Sequence, residues 1–309
     1  MKVSQEKYIC VVVTFNRKKL LVEAIDAILN QTLKPYKIII YDNHSTDGSQ
    51  DEVDQRYSLA SNQTIDYIYA DQNLGGSAGY HYGLKAAMKY NFDWVALSDD
   101  DAIYDLNYFE RILNFVDANS EYQALTGTVR VGSENGAIQY VHRKYLENRV
   151  TLQHRYSDIN DYKKDYFTYD IATFVGLTLK RELVTQIGLP NKDFFIWNDD
   201  MEYSLRIQNY SKIVNLNSAL VVHKTNLTPE SIKPTWKEYY GFRNYIVILK
   251  EYGSNKLINI CYPLLKLARI IIGTFKKKYK GYRRYRLKLY VHGYLDGTSG
   301  KLGKNKGIQ

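Results

Sequence analysis

Two hydrophobic periods alternate along the first third of the chain. Residues 8–14 read YICVVVT, a β-branched apolar run of the kind a buried parallel strand takes. Residues 18–30 then place Leu20, Leu21, Ala24, Ile25, Ile28 and Leu29 at helical spacing. The same alternation recurs. A strand over 37–41 (KIIIY) is followed by turn formers over 42–48 and a helix over 49–59. A strand over 65–69, a Gly-rich loop, a helix over 77–90 and a strand over 94–98 come next. This pattern predicts an α/β fold, an open and mostly parallel sheet with helices on both faces. Ligands bind such sheets beyond the carboxyl ends of the strands, where Thr14, Asn16, Asp42, Asn73, Gly76 and Asp99 to Asp101 fall.

The pattern weakens in the middle. Strands are expected over 124–131, 173–180 and 213–222 and a helix over 200–209, while 140–168 is polar, Tyr-rich and aperiodic. Residues 254–275 are strongly apolar yet carry Lys256, Lys266, Arg269 and Pro263. On a helix, Asn255, Asn259, Tyr262, Lys266, Arg269 and Gly273 form one polar stripe, an amphipathic pattern and a poor membrane span. The chain therefore divides into an α/β domain over 1–250 and a basic amphipathic region over 251–309.

Composition changes this picture in three places. With 309 residues, 45% of them hydrophobic, the chain can bury a large core. The formal charge of +9 belongs to the tail, since residues 251–309 hold 14 Lys/Arg against 2 Asp/Glu while the preceding 250 hold 28 against 31. Apolar helix, basic cluster (Lys276 to Lys278, Lys280, Arg283, Arg284, Arg286, Lys288) and tyrosines together predict docking on an anionic membrane surface. The alternative is a helix that covers the domain, with solvated basic residues. No nucleic-acid motif accompanies the Lys/Arg/Tyr run, so nucleic acid is not an expected partner. Two distant cysteines, Cys10 in an apolar strand and Cys261, make neither a disulfide framework nor a CxxC site. The opening MKVSQEKYIC shows no signal-peptide core, and the expected location is cytoplasmic, at the inner face of the cell membrane.

Candidate chemistry lies in two acidic clusters. Asp99-Asp100-Asp101 follows an apolar strand, and three adjacent carboxylates suit a hard divalent cation, Mn2+ or Mg2+, bridging to substrate phosphates. A solvated acidic turn is the competing reading. Trp197-Asn198-Asp199-Asp200-Met201-Glu202 suits a general base beside an aromatic sugar platform, or an ordinary helix cap. Residues 42–48 (DNHSTDG) place an acid where a ribose or base edge can be read. The glycines after Asn73 open a helix N-terminus that favours an anion. His223, at a strand end, is a metal-ligand candidate or a structural histidine.

In this order, VVVTFN (11–16), DNHSTDG (42–48), NLGGSAG (73–79), LSDDD (97–101), WNDDME (197–202) and Val222-His223 resemble the family 2 inverting glycosyltransferases of the GT-A fold. The resemblance covers residues 8–250. The subgroup it looks most like is the bacterial galactofuranosyltransferases and related rhamnosyltransferases, supported by YYGFRN (239–244) and DGTSG (296–300). What the resemblance implies is a nucleotide-sugar donor, UDP- or dTDP-linked, held by Thr14, Asn16, Asp42, Asn73, Gly76, Asp99 and Asp100. It implies a metal held by Asp99, Asp101 and His223, and a base at Asp200. It further implies acceptor or sugar contacts at Trp197, Asp199 and Glu202, and a lipid-linked glycan acceptor. The resemblance departs at the ends, where the large N-terminal β-domain of some galactofuranosyltransferases is not expected. A nucleotidyltransferase would need a Gly-rich basic loop after the first strand; residues 15–19 (FNRKK) are basic but hold no glycine. A non-catalytic scaffold would not need both acidic clusters.

Overall fold

The computed structural model describes residues 6–224 and 233–308. In chain order the elements are β1 (Tyr8–Thr14), α1 (Lys18–Leu29), β2 (Lys37–Asp42), α2 (Ser49–Tyr57), β3 (Ile65–Tyr69), α3 (Gly76–Ala87), β4 (Trp94–Asp99), β5 (Ala102–Tyr104), α4 (Tyr108–Ala118) and β6 (Ala124–Val131). They continue with β7 (Arg143–Asn148), β8 (Gln153–Tyr156), β9 (Tyr166–Tyr169), β10 (Ile171–Ala172), β11 (Leu177–Lys180), α5 (Arg181–Ile187), α6 (Asp199–Ile207), β12 (Ile213–His223), α7 (Lys237–Tyr252), α8 (Lys256–Thr274) and α9 (Arg283–Ser299).

The main sheet runs β3-β2-β1-β4-β11-β6-β12-β5, with β9 also paired to β12. β1 pairs in parallel with β2 and β4, and β11 enters antiparallel between β4 and β6. Along β1 the alternation decides the layers. Tyr8, Cys10 and Val12 pack on one face with Leu21, Ile25 and Ile28 of α1. Ile9, Val11 and Val13 pack on the other with Tyr80 and Leu84 of α3. Both faces are dry, as an all-apolar strand requires.

The first-half elements follow the apolar periodicity to within three residues at each end. The aperiodic segment 140–168 holds β7, β8 and most of β9, with β10-β7-β8 forming a small antiparallel sheet. Its strands are half exposed and polar, and β8 is exposed throughout. The strand expected over 173–180 is shorter, because residues 173–176 turn before β11 begins.

The tail packs on the rest of the protein. α7, α8 and α9 share a core of Phe242, Tyr245, Ile246, Leu249 and Leu267 with Met201 and Leu205 of α6. Ile308 is buried against Tyr239 and Tyr240.

Candidate active site

The parallel strands end on one side of the sheet, and the chain after them turns polar. β1 and β4 run side by side, pairing Val13 with Asp99, so Thr14 and the acidic triplet emerge together. The Thr14 hydroxyl donates to Asp100 at 2.8 Å. Arg17 donates to Asp100 at 3.1 Å and to Asp101 at 2.8 Å. The Tyr80 hydroxyl donates to Asp99. Asp100 and Asp101 are buried, at 4% and 2% exposure, so the triplet is no solvated turn. Burial raises the Asp100 carboxyl to about 7 against the pull of Arg17 and Thr14, and burial with the neighbouring Asp101 charge raises Asp99.

β12 brings His223 to the same point, where its Nε2 lies 3.1 Å from Asp101. One oxygen of Asp99, one of Asp101 and a ring nitrogen of His223 lie within 4.8 Å of one another. Two carboxylates and an imidazole are an acceptable donor set for a hard or borderline divalent cation, so the residues fit such an ion. Nδ1 of His223 sits 3.0 Å from Gln139 Oε1, which also meets His142 Nε2 at 2.7 Å. An amide oxygen accepts only, so Nδ1 carries hydrogen and Nε2 is the nitrogen turned to Asp101. Burial opposes a proton on His223, but the hydrogen bond and charge of Asp101 outweigh it and the pKa is raised.

A cavity of about 600 Å³ opens over these strand ends. Thr14, Asn73, Gly76, Asp99 and Asp100 line it, as do Phe15 and Trp236. Three cations also border it, Arg17, Lys237 and Lys304, the last from the chain end beyond α9. Asn16 and Asp42, expected on the nucleoside, do not line this cavity. Asn16 accepts from the Thr46 N–H and pins its own loop. Asp42 is fully buried and accepts from the Ser45 N–H and the Tyr67 hydroxyl, so its carboxylate braces the turn after β2.

A second cavity, of about 670 Å³, adjoins the first and shares Gly76, Asp99 and Ile196 with it. Trp197, Asp199 and Asp200 line it. They stand at the start of α6, reached through an unusual backbone in which Phe195, Trp197 and Asn198 all have positive φ (69°, 63° and 67°). Such conformations are unfavourable for side-chain-bearing residues and persist only where the surroundings hold them. Here α7 supplies the hold. Buried Asn244 donates through its one amide nitrogen toward the carbonyls of Phe194, Ile196 and Trp197 at 3.1, 3.0 and 2.7 Å. Arg243 donates to Phe194 O at 2.9 Å, and Asn198 donates back to Gly241 O at 2.8 Å. A Cβ on Gly241 would meet the Trp197 ring at 2.9 Å. In the first cavity, a Cβ on Gly75 would meet Phe195 O at 2.1 Å, and the φ there is +88°.

Within α6 the three acids diverge. Asp200 faces the cavity and accepts from the Met201 N–H at 2.7 Å. Asp199 is nearly buried, and burial with the Asp200 charge raises it to about 7. Glu202, expected at the acceptor or sugar, does not line the cavity. One oxygen takes the Arg206 guanidinium at 2.8 Å and the other the Tyr252 hydroxyl at 2.7 Å, which fastens α6 to the end of α7. Sequence reasoning missed Arg17, Gln139, Lys237, Lys304, Arg243 and Asn244 as parts of the site. YYGFRN was noticed as a motif, but only its packing against 194–198 gives it a task.

Comparison with known proteins gives the family and the fold. The model of "Glycosyl transferase family 2" matches residues 9–187, more than half of the chain, and ends before Asp199. A galactofuranosyltransferase of Mycolicibacterium smegmatis is 26% identical over 200 residues, which span 64% of this chain and 64% of that protein, just under two thirds of its length. A galactofuranosyltransferase of Mycobacterium tuberculosis is 25% identical over 269 residues, covering 82% and 85%. Among solved structures, S. aureus TarS in complex with UDP-GlcNAc superposes with a TM-score of 0.59 at 15% identity, over 94% of this chain and 81% of that one. GalNAc-T7 with UDP, GalNAc and Mn2+ superposes with a TM-score of 0.64 at 13% identity, over 95% and 57%. These identities show a shared fold, that of the GT-A glycosyltransferases.

Proposed function

The chain belongs to glycosyltransferase family 2, and from that premise we propose that it transfers a sugar, best matched by galactofuranose from UDP-galactofuranose, onto a hydroxyl of a lipid-linked glycan with inversion at the anomeric carbon. The observation that carries this reading is the shared wall of the two cavities. Gly76 and Asp99 border both, so a donor over the strand ends would meet an acceptor beside Asp200. The choice of sugar is supported by the galactofuranosyltransferases among the relatives.

The chain's own groups divide the work. Phe15 and Trp236 offer faces to a base, and Arg17, Lys237 and Lys304 offer positive charge to a diphosphate. Asp99, Asp101 and His223 would hold Mn2+ or Mg2+, which when bound neutralises charge on the departing diphosphate. Trp197, 44% exposed, gives an acceptor sugar a flat surface. Asp200 takes the proton from the acceptor hydroxyl as that oxygen bonds to the anomeric carbon and the bond to the diphosphate breaks on the opposite face. Asp199, with its carboxyl protonated to about pH 7, keeps a second negative charge away from the attacking oxygen.

A location at the membrane surface is supported by α8, whose outward face carries Leu257, Ile260, Leu264, Leu265 and Ile272 at 54–73% exposure beside the basic residues that follow it. By length and composition this helix also passes for a membrane span, with mean hydropathy 1.4 and 22% of it buried. Its polar stripe, turned inward at Asn259, Tyr262 and Lys266 and exposed at Arg269, favours a helix lying in the interface of an anionic bilayer at the cytoplasmic side. The reaction is tested by a transfer screen over UDP-galactofuranose, dTDP-rhamnose, UDP-GlcNAc and UDP-glucose with Mn2+, the product linkage read by NMR. Turnover of UDP-galactofuranose to a β-linked product is expected. Turnover of dTDP-rhamnose alone would move the donor assignment, and no turnover of any nucleotide sugar would overturn the reading.

A further inference from the structure

Beside α8 lies a cavity of about 270 Å³ whose charged lining is entirely positive: Lys266, Arg269, Lys276, Lys278 and Arg286. Among the described residues Arg286 alone of these pairs with an acid, Glu238 at 3.1 Å. Lys266 instead places its ammonium over the Tyr245 ring, 3.9 Å from the centroid. Converging cations repel one another, and an anion between them removes that repulsion.

The cavity has two neighbours. On one side Lys266 and Ile270 are also walls of an adjoining cavity of about 420 Å³, which runs between α7, α8 and the β7–β8 hairpin to Trp197 and Asn198. Those two residues in turn border the cavity that holds Asp200. On the other side stands the outward apolar face of α8, with Leu265 57% and Ile272 73% exposed. From the cationic cavity to the cavity of Asp200 the walls are shared at each step, and the exposed apolar residues stand on the same helix, α8, as Lys266 and Arg269 of the cationic lining.

We infer that the cationic cavity receives the phosphate of the lipid-linked acceptor, with the alkyl chain leaving along the outward face of α8 and the glycan lying along the adjoining cavity toward Asp200. This rests on the transferase reading above and adds the anionic linkage to the acceptor's chemistry. The assignment is to the acceptor rather than to bulk anionic lipid. A headgroup that only anchors the protein needs no passage to the base, whereas a phosphate between a tail and a sugar must sit where both can be reached. The cavity also fixes how far the glycan extends before its terminal sugar meets Trp197.

The test uses the full chain in neutral dodecyl maltoside micelles, with farnesyl diphosphate, farnesol and inorganic diphosphate as probes and tryptophan fluorescence as the readout. Farnesyl diphosphate is expected to bind at least about tenfold tighter than farnesol or inorganic diphosphate, because headgroup and tail act together. The triple variant Arg269→Ala, Lys276→Ala, Lys278→Ala alters exposed side chains and should lose that preference by about tenfold or more while UDP affinity stays unchanged. Lys276→Arg with Lys278→Arg should keep it. The inference is overturned if the triple variant retains the preference. It is overturned equally if inorganic diphosphate binds as tightly as farnesyl diphosphate, or if a low mole fraction of phosphatidylglycerol in the micelles abolishes the discrimination. Nucleotide-sugar turnover by the wild type separates the two claims. With turnover and no phosphate preference this inference alone fails; without turnover it is the transferase reading that fails.

Discussion

The two acidic clusters look alike on paper, three carboxylates each, yet the fold treats them in opposite ways. The triplet at the end of β4 is met by countercharge from two other elements, Arg17 after β1 and His223 at the end of β12. At the start of α6 the countercharge goes to one acid only. Glu202 is held by Arg206 and Tyr252, Asp199 is buried with its carboxyl raised to about 7, and Asp200 is left facing the cavity. A cluster that gathers cations suits holding a metal and a diphosphate. A cluster that isolates one carboxylate beside a protonated neighbour suits moving a proton.

The largest expected effect tests that isolation. Asp200→Asn should lower kcat by about 10²–10⁴-fold, the range of a lost general base, with donor affinity unchanged. Glu202→Gln should leave kcat within a few-fold while lowering stability by about 3 kcal/mol, since Arg206 loses its buried partner. Steady-state kinetics with denaturant melts on both variants checks the pair. If Glu202→Gln abolishes transfer without loss of stability, the division of labour in α6 is wrong.

Next in size is the clamp that aims α6. Asn244→Ala removes the donor toward three carbonyls of the 194–197 backbone, and misplacement of the base by about 1 Å is expected to lower kcat about 10²-fold. UDP binding should persist, because the strand-end cavity does not depend on that loop alone. On the other cluster, Asp101→Asn should weaken Mn2+ affinity by about 10–100-fold, the scale of a disturbed ligand set, and make UDP affinity insensitive to Mn2+ in calorimetric titration. Unchanged metal dependence would break the comparison from that side.

The smallest effect is a pH slope. Asp100 and Asp199 hold protons to about 7 when folded, whereas an unfolded chain releases them near 4. The folded state binds more protons between those values, so without divalent cation stability should fall as pH rises from about 4 to 7 and then level. Asp199→Asn should flatten the slope by about one proton, measured by urea melts across that window.

Much of this was legible in the chain. The strand-helix alternation placed β1 to β4 and α1 to α3, and β1, β2 and β4 were the clearest because strands buried on both faces leave an unmistakable apolar run. Asp99, Asp101 and His223 were named as one metal site by resemblance, and the fold does bring them within reach of one another. Asn16 and Asp42 stand near the same strand ends, but hydrogen bonds to Thr46, Ser45 and Tyr67 turn their side chains to bracing loops. Lys237 and Lys304 reach the strand-end cavity from the far end of the chain, and no local pattern marks a residue that arrives by tertiary packing.

Residues 254–275 show where the sequence stops and the structure begins. The sequence by itself determined a helix with one polar stripe and one apolar face, since spacing on a helix depends on nothing but order along the chain. Which face turns inward was decided by what the rest of the fold offers. Asn259 donates to Gly253 O, Gln153 donates to the Tyr262 hydroxyl, and Lys266 lies over Tyr245, so the middle of the polar stripe finds its partners inside while Asn255 and Arg269 stay exposed. Leu257, Ile260, Leu264 and Ile272 are left outside. A buried polar group must be paired, and the neighbours that pair it exist only once the chain has folded.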